Sequence, residues 1–423
     1  MTPSRSNRAD VVVVGGGLVG ATAALALARA GLSVAVLEAE SIDEKIWPEN
    51  SFDLRVSALS LATQRMFTAL GVWPDMVEMG VASFRAMRVW DSAGGGRIEF
   101  DASELAEPAL GHIVENRVTR RALLRALQQC ANVQLEAPSA VTGLRIEDDA
   151  AYVETSRGTT WRAQLVVGAD GNRSKVRQLL RIDARGWSYD QRAVVATVKT
   201  ALPHQDTAWQ RFLPAGPLAF LPLRDNHCSI VWSTFPSHAE QLLALDDATF
   251  NRQLTDAFEA TLGEVSVVGA RGAFPLKLEH VPDYVRPRIA LIGDAAHTVH
   301  PLAGQGANLG FLDAAALAQI VGEGAASGVD AGDLRLLRRY ERWRKGDNLL
   351  MLGVMDGFKR VFGSASAPLR IARNTGFNAV NRTPFLKEIF IRRAMGLSGD
   401  LPKLCSALPE VADPSWERFP AAN

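Results

Sequence analysis

One stretch near the amino terminus constrains the fold more than any other. Four consecutive valines (Val11–Val14) suit a strand that is buried on both faces, and Gly15, Gly17 and Gly20 follow with the spacing G-x-G-x-x-G. The alanine- and leucine-rich run after these glycines contains no proline and predicts a helix. The free N–H groups and the positive dipole end of such a helix face one point, which suits a pyrophosphate.

A second apolar strand, Ser33–Leu37, ends at Glu38, 18 residues after Gly20. A carboxylate at this position accepts hydrogen bonds from the ribose hydroxyls of an adenosine. Strand, glycines, helix, second strand and terminal acid therefore occur in the order of a dinucleotide-binding unit, and we predict such a site here.

The same stretch has a competing interpretation. Val11 to Ala28 carries no charge and follows Arg5 and Arg8, as a signal peptide or a membrane-spanning helix would. Three successive glycines would break a spanning helix in its first half, and the pattern then changes to a strand that ends in an acid. We therefore favour the dinucleotide-binding unit.

Composition indicates an ordinary globular chain without a charge bias. Over 423 residues, 46 Lys and Arg balance 46 Asp and Glu, so nucleic-acid binding is not expected. The length favours two to three domains. Cys130, Cys228 and Cys405 are far apart and form no C-x-x-C. They predict neither a disulfide framework nor a zinc site, and a cytoplasmic location fits best.

A second strand-to-helix junction carries an acid. The run QLVVGADGNRSKVRQLL is again strand, glycine, acid, glycine and helix, with Asp170 between Gly168 and Gly171. Ser174 and Arg177 follow three residues apart in the predicted helix. This is more than a surface turn requires, although turn chemistry alone stays an alternative explanation for Asp170.

A third strand-to-helix junction also carries an acid. Asp294 follows the short apolar strand Arg288–Gly293, at a strand end where doubly wound sheets place ligands. The sequence Gly304-Gln305-Gly306 then precedes a helix from Ala307 to about Val321. Its N-terminal N–H groups would face something negative or electron-rich.

Three further polar residues are ambiguous. Arg55 lies near the start of the segment Phe52–Trp73, just before the helix that we predict there, and its guanidinium either reaches a phosphate or is solvated at the surface. His297 and His300 lie beside the third strand end, where hydrogen bonding is a commoner role for histidine than catalysis. We retain His300 as a candidate catalytic base.

Between the second and third junctions the pattern changes. Residues 182–281 lose the alternation of strand and helix and become strand-rich, with prolines at strand ends, which predicts a mostly antiparallel sheet with one face available to a ligand. We predict a discontinuous doubly wound α/β domain (1–80, 106–181 and 286–330), a β-sheet substrate domain (81–105 and 182–285) and a C-terminal helical region (331–423).

The C-terminal region is basic and apolar. From Arg342 to Arg393 it contains 11 Lys and Arg against 3 Asp and Glu, interleaved with large apolar residues. Such a region can lie on an anionic membrane surface. It can equally be a helix that docks on its own protein, which is the commoner case.

Together these signatures resemble a known family. GGGLVG with Glu38, GADGNRSKVR (Gly168–Arg177) and IGDAAHTVHPLAGQGANLG (Ile292–Gly310) are similar to the single-component flavoprotein monooxygenases of the para-hydroxybenzoate hydroxylase type. Within that group the chain looks most like the ubiquinone-biosynthesis hydroxylases. The features that point there are RFLPAGPLAFLPL (Arg211–Leu223), HTVHPLAGQGANLGFLDAA, ENR (Glu115–Arg117) and the closing RRAMGLSGDLP.

The resemblance implies a Rossmann-like fold with bound FAD and a role for each motif. It implies Gly15, Gly17, Gly20 and Glu38 at the ADP half of FAD, Arg55 and Arg117 near the pyrophosphate and flavin, Asp170 where FAD meets NAD(P)H, Asp294 at the ribityl hydroxyls, and Gly304, Gln305, Gly306 and Ala307 against the isoalloxazine ring. The family has no second nucleotide-binding fold for NAD(P)H, and the sequence contains no second G-x-G-x-x-G.

The resemblance also implies an activity. NAD(P)H would reduce FAD, O2 would add at flavin C4a, and the hydroperoxide would hydroxylate a polyprenylated phenol, with ring C5 preferred. Peripheral contact with the inner face of the membrane and a complex with other quinone-synthesis proteins are further expectations. Two alternatives stay open: hydroxylation of a small soluble aromatic acid, and a flavin-binding scaffold that turns nothing over.

Overall fold

The computed structural model describes residues 6–42, 47–48, 51–92, 94–298, 306–362 and 383–406. Within those residues the strands are β1 (Ser6–Val14), β2 (Val34–Leu37), β3 (Val56–Leu59), β4 (Val81–Phe84), β5 (Ala86–Asp91), β6 (Arg97–Asp101), β7 (Gly111–Glu115), β8 (Val133–Glu136), β9 (Val141–Ile146), β10 (Ala151–Thr155), β11 (Thr160–Gly168), β12 (Arg185–Thr200), β13 (Thr207–Leu213), β14 (Gly216–Pro222), β15 (His227–Thr234), β16 (Val265–His280), β17 (Val285–Arg286), β18 (Ile289–Leu291) and β19 (His297–Thr298). The helices are α1 (Leu18–Arg29), α2 (Leu61–Ala69), α3 (Trp73–Gly80), α4 (Asn116–Gln128), α5 (Lys175–Leu179), α6 (Pro236–Ala244), α7 (Asp247–Ala257), α8 (Gly306–Ala326), α9 (Leu334–Phe362) and α10 (Pro384–Ala394).

The first sheet is the parallel one that the sequence predicts. Its strand order is β17-β18-β11-β1-β2-β8, with β10 and β9 continuing from β11. Strands β18, β11, β1, β2 and β8 pair in parallel. The valines Val11–Val14 lie in its centre and are at most 5% exposed, as expected for a strand that is covered on both faces.

Two long helices, α1 and α8, pack closely against each other because small residues line their contact. A Cβ atom on Gly310 would lie 2.6 Å from Val19 Cγ2, and one on Gly322 would lie 2.8 Å from the Cβ of Ala30. Among the described helices α8 alone is long and apolar enough to cross a membrane, but 67% of its apolar window is buried inside the protein. It is a core helix of this fold.

The second sheet is mostly antiparallel, in the order β19-β16-β12-β15-β14-β13-β5-β6. Every neighbouring pair is antiparallel except β13 with β5. One face packs on α6 and α7 through an aromatic-rich core that includes Phe220, Phe250 and Phe258. The fold class predicted from the sequence is confirmed: a doubly wound α/β part, a mostly antiparallel sheet and C-terminal helices.

A third sheet, in the order β3-β7-β4, was not predicted. The expected helix over Phe52–Trp73 is wrong in its first part, because Val56–Leu59 form a strand and the helix starts only at Leu61. Ser60 sets that start, since its side chain accepts a hydrogen bond from Thr63 N. Ser60 N also donates a hydrogen bond to Asn308 Oδ1 at 3.0 Å. Asn308 is 248 residues further along the chain, so the local sequence does not reveal this contact.

Candidate functional site

The three glycine-bearing turns meet at one edge of the parallel sheet. The register pairs Val14 with Leu37 on one side and with Gly168 on the other, and Gly168 with Leu291. Each of these residues is the last in its strand, so the following turns are neighbours. Backbone hydrogen bonds join them directly: Ala169 N donates to Val14 O at 2.8 Å, and Ile292 N donates to Gly168 O at 3.0 Å.

The glycines of the first turn have two different reasons to be glycine. Gly15 has φ +102°, and a Cβ there would lie 2.5 Å from Ala169 O; a Cβ on Gly20 would lie 1.9 Å from Gly15 O. These two allow the strand, helix and neighbouring turn to approach. A Cβ on Gly17 or on Gly306 would meet nothing within 4 Å. Those two positions leave space beside the starts of α1 and α8.

Glu38 lies at the end of β2 and contacts the first turn. Its Oε2 accepts a hydrogen bond from Gly16 N at 2.7 Å, and its Oε1 accepts one from Glu40 N at 2.9 Å. An ionised carboxylate has about four acceptor positions. Glu38 therefore orders the glycine turn and keeps acceptor capacity for hydroxyl groups.

Asp294 lies just after β18, in the turn that precedes β19. Desolvation by surrounding protein raises the pKa of its carboxyl group above 3.8, and the positive charges of His297, Arg55 and Arg177 oppose that rise. Yet the side chain is exposed by surface area. The carboxylate is therefore surrounded by much of the protein while part of the residue still reaches solvent. Of the residues that the structure describes, none donates a hydrogen bond to this carboxylate.

Asp170 caps a helix with one oxygen and leaves the other unused. Its Oδ2 accepts hydrogen bonds from Lys175 N at 2.6 Å and Val176 N at 3.1 Å, at the start of α5. Its Oδ1 is buried and has no hydrogen-bond partner in the described part of the chain. An orphaned buried acceptor costs free energy unless a ligand or water satisfies it.

The two arginines singled out from the sequence differ in their freedom. Arg117 is fixed: it donates to Ser51 Oγ at 2.9 Å, pairs with Glu115 at 2.8 Å and lies 4.6 Å from the Trp47 ring centroid. Arg55 is exposed, with its guanidinium 5.1 Å from the centroid of Phe274 in the antiparallel sheet. Arg55 thus lies just before β3 of the three-stranded sheet and next to the antiparallel sheet.

The sequence did not predict a buried ionic cluster that contacts Gly293, the residue before Asp294. Asp313, in the middle of α8, accepts hydrogen bonds from Arg344 Nε at 3.0 Å, from Asn348 Nδ2 at 3.1 Å and from Gly293 N at 3.1 Å. Its Oδ2 lies 2.5 Å from His297 Nε2. These partners lower the pKa of the fully buried carboxyl to about 2 against the opposing effect of burial.

The cluster gives His297 a structural role. The residue is 2% exposed and its ring is bonded to Asp313, so it stabilises the strand end and does not reach solvent. The available signal was Asp313 itself, the one charged residue in the apolar run from Gly306 to Val321. A lone charge there requires a buried partner.

Three sequence candidates, His300, Gly304 and Gln305, lie outside the described residues. Gly306 and Ala307 begin α8, with no acidic residue in the first turn. The first turn of α1 likewise has none. Both helix starts therefore suit negative or electron-rich groups.

The described residues fit FAD. The open space at Gly17 suits a phosphate that approaches the backbone, the Glu38 carboxylate suits ribose hydroxyls, and the Asp294 carboxylate suits the hydroxyls of a ribityl chain. Among the described residues no group of three or more His, Cys, Asp and Glu side chains is placed to hold a metal ion.

Comparison with known proteins agrees with this geometry. A family described as "FAD binding domain" matches residues 8–346. The chain is 38% identical to 3-demethoxyubiquinol 3-hydroxylase of Escherichia coli, covering 92% of this chain and 98% of that protein. It is 40% identical to ubiquinone hydroxylase UbiL of Rhodospirillum rubrum, covering 97% and 95%. The crystal structure of p-nitrophenol 4-monooxygenase PnpA from Pseudomonas putida superposes with a TM-score of 0.75 at 21% identity, covering 94% and 100%, and shares the fold.

Proposed function

Because this chain belongs to the FAD binding domain family and, within it, to the FAD-dependent hydroxylases of ubiquinone biosynthesis, we propose that it hydroxylates the ring of a polyprenylated phenol. The observation that carries the proposal is the meeting of three glycine turns and the Asp294 carboxylate at one sheet edge. The names of the two bacterial relatives supply the substrate class.

The reaction consumes NAD(P)H, a proton, O2 and the phenol, and yields NAD(P)+, water and the hydroxylated phenol. Bound FAD would supply hydride acceptance and O2 activation, for which the family resemblance implies a C4a-hydroperoxide. The protein's contribution is positioning, electrostatics and the exclusion of water. The N-terminus of α8 would stabilise negative charge on the ring that rests against it, by about 0.3–1 kcal/mol or more when partly buried.

We propose the following roles for the site residues, as the family resemblance implies them. Gly15, Gly17 and Gly20 with Glu38 hold the ADP half, and Arg55 and Arg117 lie towards the pyrophosphate and flavin. Asp170 lies where FAD and NAD(P)H meet and Asp294 binds the ribityl hydroxyls. In this proposal Gly304, Gln305, Gly306 and Ala307 would contact the isoalloxazine ring, and His300 would be the candidate base that ionises the phenol.

The position of hydroxylation is a separate proposal. We propose ring C5, following the family resemblance. The Escherichia coli relative is named for hydroxylation at ring position 3, so that position is the principal competitor. Analysis of the product by mass spectrometry and NMR distinguishes the two.

We further propose that the enzyme works at the cytoplasmic face of a membrane, in contact with other quinone-synthesis proteins. Helix α10 supports this proposal, since Phe385 is 70% exposed and Ile389 is 47% exposed, next to the exposed cations Arg392 and Arg393. Cosedimentation with anionic vesicles, and its loss at high salt, tests the membrane contact.

The experiment that tests the proposed function uses purified protein loaded with FAD. The protein should be yellow, and a prenylated phenol should stimulate NAD(P)H oxidation and O2 uptake with formation of hydroxylated product. Bound FAD with neither phenol-stimulated O2 uptake nor hydroxylated product would support the flavin-binding scaffold instead, whereas peroxide formation alone does not discriminate between the two. Equal turnover of a prenylated phenol and a soluble benzoate would support the soluble-aromatic alternative.

A further inference from the structure

An apolar cavity lies next to the three-stranded sheet, between β3, the β5–β6 hairpin and α10. Its internal space is about 70 Å³, several times the ~10–15 Å³ that one water molecule requires. Most of its wall is hydrocarbon; the residues that matter below are Leu59, Met87, Phe100, Leu110, Ile391 and Met395.

The cavity adjoins the segments that form the candidate flavin site. One wall is the end of β3, which follows Arg55, and another is Asn308 in the first turn of α8, directly after Gly306 and Ala307. A ligand whose reactive ring lies at the start of α8 would therefore reach this cavity with a short substituent.

The two polar side chains in the wall, Ser60 and Asn308, are hydrogen-bonded within the protein. Asn308 donates to Ala58 O at 2.8 Å and accepts from Ser60 N at 3.0 Å and Thr63 Oγ1 at 2.8 Å. The hydroxyl of Ser60 accepts from Thr63 N at 3.3 Å. Because these groups are already paired, the cavity selects an apolar occupant and not a carboxylate or a phosphate.

Helix α10 connects the cavity to the outer surface. Ile391 and Met395, at its C-terminal end, are 4% and 2% exposed and contact the cavity, whereas Phe385 on the same helix is 70% exposed. The helix is fixed in place, since Lys387 Nζ donates to Glu104 at 2.6 Å and Ala62 N donates to Met395 O at 3.4 Å. An apolar chain leaving the cavity along α10 would meet exposed apolar side chains.

We propose that this cavity binds the ring-proximal isoprenoid segment of the substrate tail, and that α10 guides the remaining tail towards the surface. The proposal rests on the proposed function, because it needs a lipid-tailed phenol. The paired polar atoms and hydrocarbon wall exclude a charged substituent, and the internal space accommodates a piece of chain. The cavity thereby discriminates a tailed phenol from an untailed one.

A photoreactive substrate tests the location in the wild-type protein with FAD bound. The probe is a phenol with a geranyl tail that carries a diazirine on its first isoprene unit. After irradiation and digestion, mass spectrometry should find the label on peptides containing Met87, Ile391 or Met395. Labelling confined to β13–β15 or to other peptides would overturn the proposal.

Cavity-filling variants test the effect on selectivity. Ile391→Trp, and independently Met87→Trp, should raise KM for the geranylated phenol about tenfold or more, the discrimination that a misfit of a methylene or more causes in a hydrophobic pocket. KM for the untailed phenol should change less than about twofold. Leu202→Trp, at a residue 52% exposed, is the matched control, and flavin absorbance and melting temperature verify folding.

The outcomes separate the two proposals. If the wild type hydroxylates the geranylated phenol while labelling avoids the cavity and both variants keep the wild-type KM, the cavity proposal fails and the proposed function stands. If the wild type hydroxylates no phenol but the cavity peptides are labelled, the tail site stands and the proposed function fails. Labelling outside the cavity in an inactive protein contradicts both.

Discussion

At the scale of single residues, the charged form of the Asp294 carboxylate is unfavourable in the folded protein when no cofactor is bound. Burial raises its pKa above 3.8, which means that the native fold disfavours the charged form and gains stability as pH falls through the raised pKa. A carboxylate that is disfavoured in this way is expected at a binding site, where the ligand donates the hydrogen bonds that the protein does not provide.

Asp294→Asn should therefore separate stability from cofactor binding. Without FAD the variant should melt at or slightly above the wild-type temperature at pH 7. Its FAD affinity should fall about 10- to 100-fold, as expected from losing hydrogen bonds to a charged group worth ~1.5–3 kcal/mol. Isothermal titration with FAD and calorimetry of the flavin-free protein provide the two values.

Asp294→Ala should lose FAD more completely while the antiparallel sheet stays folded. Asp256→Asn, on the exposed side of α7, is the control and should bind FAD as the wild type does. Full flavin occupancy in the alanine variant would contradict the role assigned to Asp294.

Asp313 should behave in the opposite way, as a stabilising charge. Its pKa of about 2 lies below the ordinary value of 3.8, so its contribution is present above pH 3.8 and is lost as pH falls towards 2. Asp313→Asn removes the fully buried carboxylate partner of Arg344 and should cost about 3–5 kcal/mol, measured by urea unfolding at pH 7.

The matched control uses the same arginine. Asp347 also pairs with Arg344, at 3.1 Å, but its side chain is 43% exposed. Asp347→Asn should cost no more than about 1 kcal/mol, as surface ion pairs do. Equal costs for the two substitutions would show that burial is not what makes the Asp313 cluster stabilising.

At the scale of elements, the turn between β1 and α1 contains one glycine that is required for packing, Gly20, and one that leaves space for a ligand, Gly17. Gly20→Ala places a Cβ 1.9 Å from Gly15 O, so the helix must move and the protein should lose about 3 kcal/mol or more of unfolding free energy. Gly17→Ala meets no atom within 4 Å and adopts an ordinary φ of −70°. Because Gly17 is the N-cap of α1, where alanine is less favourable than glycine, the variant should lose no more than about 1 kcal/mol of unfolding free energy.

Gly17→Ala should nevertheless weaken FAD binding about tenfold or more, a change of ~1.4 kcal/mol, because the added methyl occupies the space assigned to the pyrophosphate. Urea unfolding and FAD titration of both variants test this pair. If Gly17→Ala bound FAD normally, the phosphate would have to lie elsewhere.

At the scale of the whole molecule, stability should depend on pH through His112 as well. Burial lowers the pKa of this imidazole to about 4 from 6.5, and the neutral ring bonds Gln64 and Ser83 at 2.9 Å each. Below pH 6.5 the unfolded chain takes up a proton that the native protein does not, so stability falls as pH falls towards 4.

From pH 7 to pH 5 this group should cost about 2 kcal/mol of unfolding free energy, at ~1.36 kcal/mol per unit between the two pKa values. Urea unfolding at the two pH values measures it, and His112→Leu should remove most of the difference. The same loss in the variant would assign it to other groups.

The sequence was sufficient for features that local patterns encode. The first two strand-turn-helix junctions, the antiparallel sheet, the positions of Glu38 and Asp294 just after strands and the family itself were predicted correctly. These depend on spacing within a few residues, on hydrophobic periodicity and on the rule that parallel strands end at one edge.

The sequence was insufficient where distant segments cooperate. Strand β3 was read as helix because its pairing with β7 and its hydrogen bonds to Asn308 are non-local. The partners of Asp313 are 16 to 35 residues away, and the cavity needs α10 to cover β3. No periodicity connects such positions, so only the folded chain brings them together.

The most direct measurement is a crystal structure of the protein with FAD bound. The account predicts one extended FAD, with its adenosine ribose at Glu38, its pyrophosphate at the Gly15–Gly17 turn and its ribityl hydroxyls on Asp294. A flavin bound away from this edge, or one that leaves the Asp294 carboxylate without a contact, would contradict it.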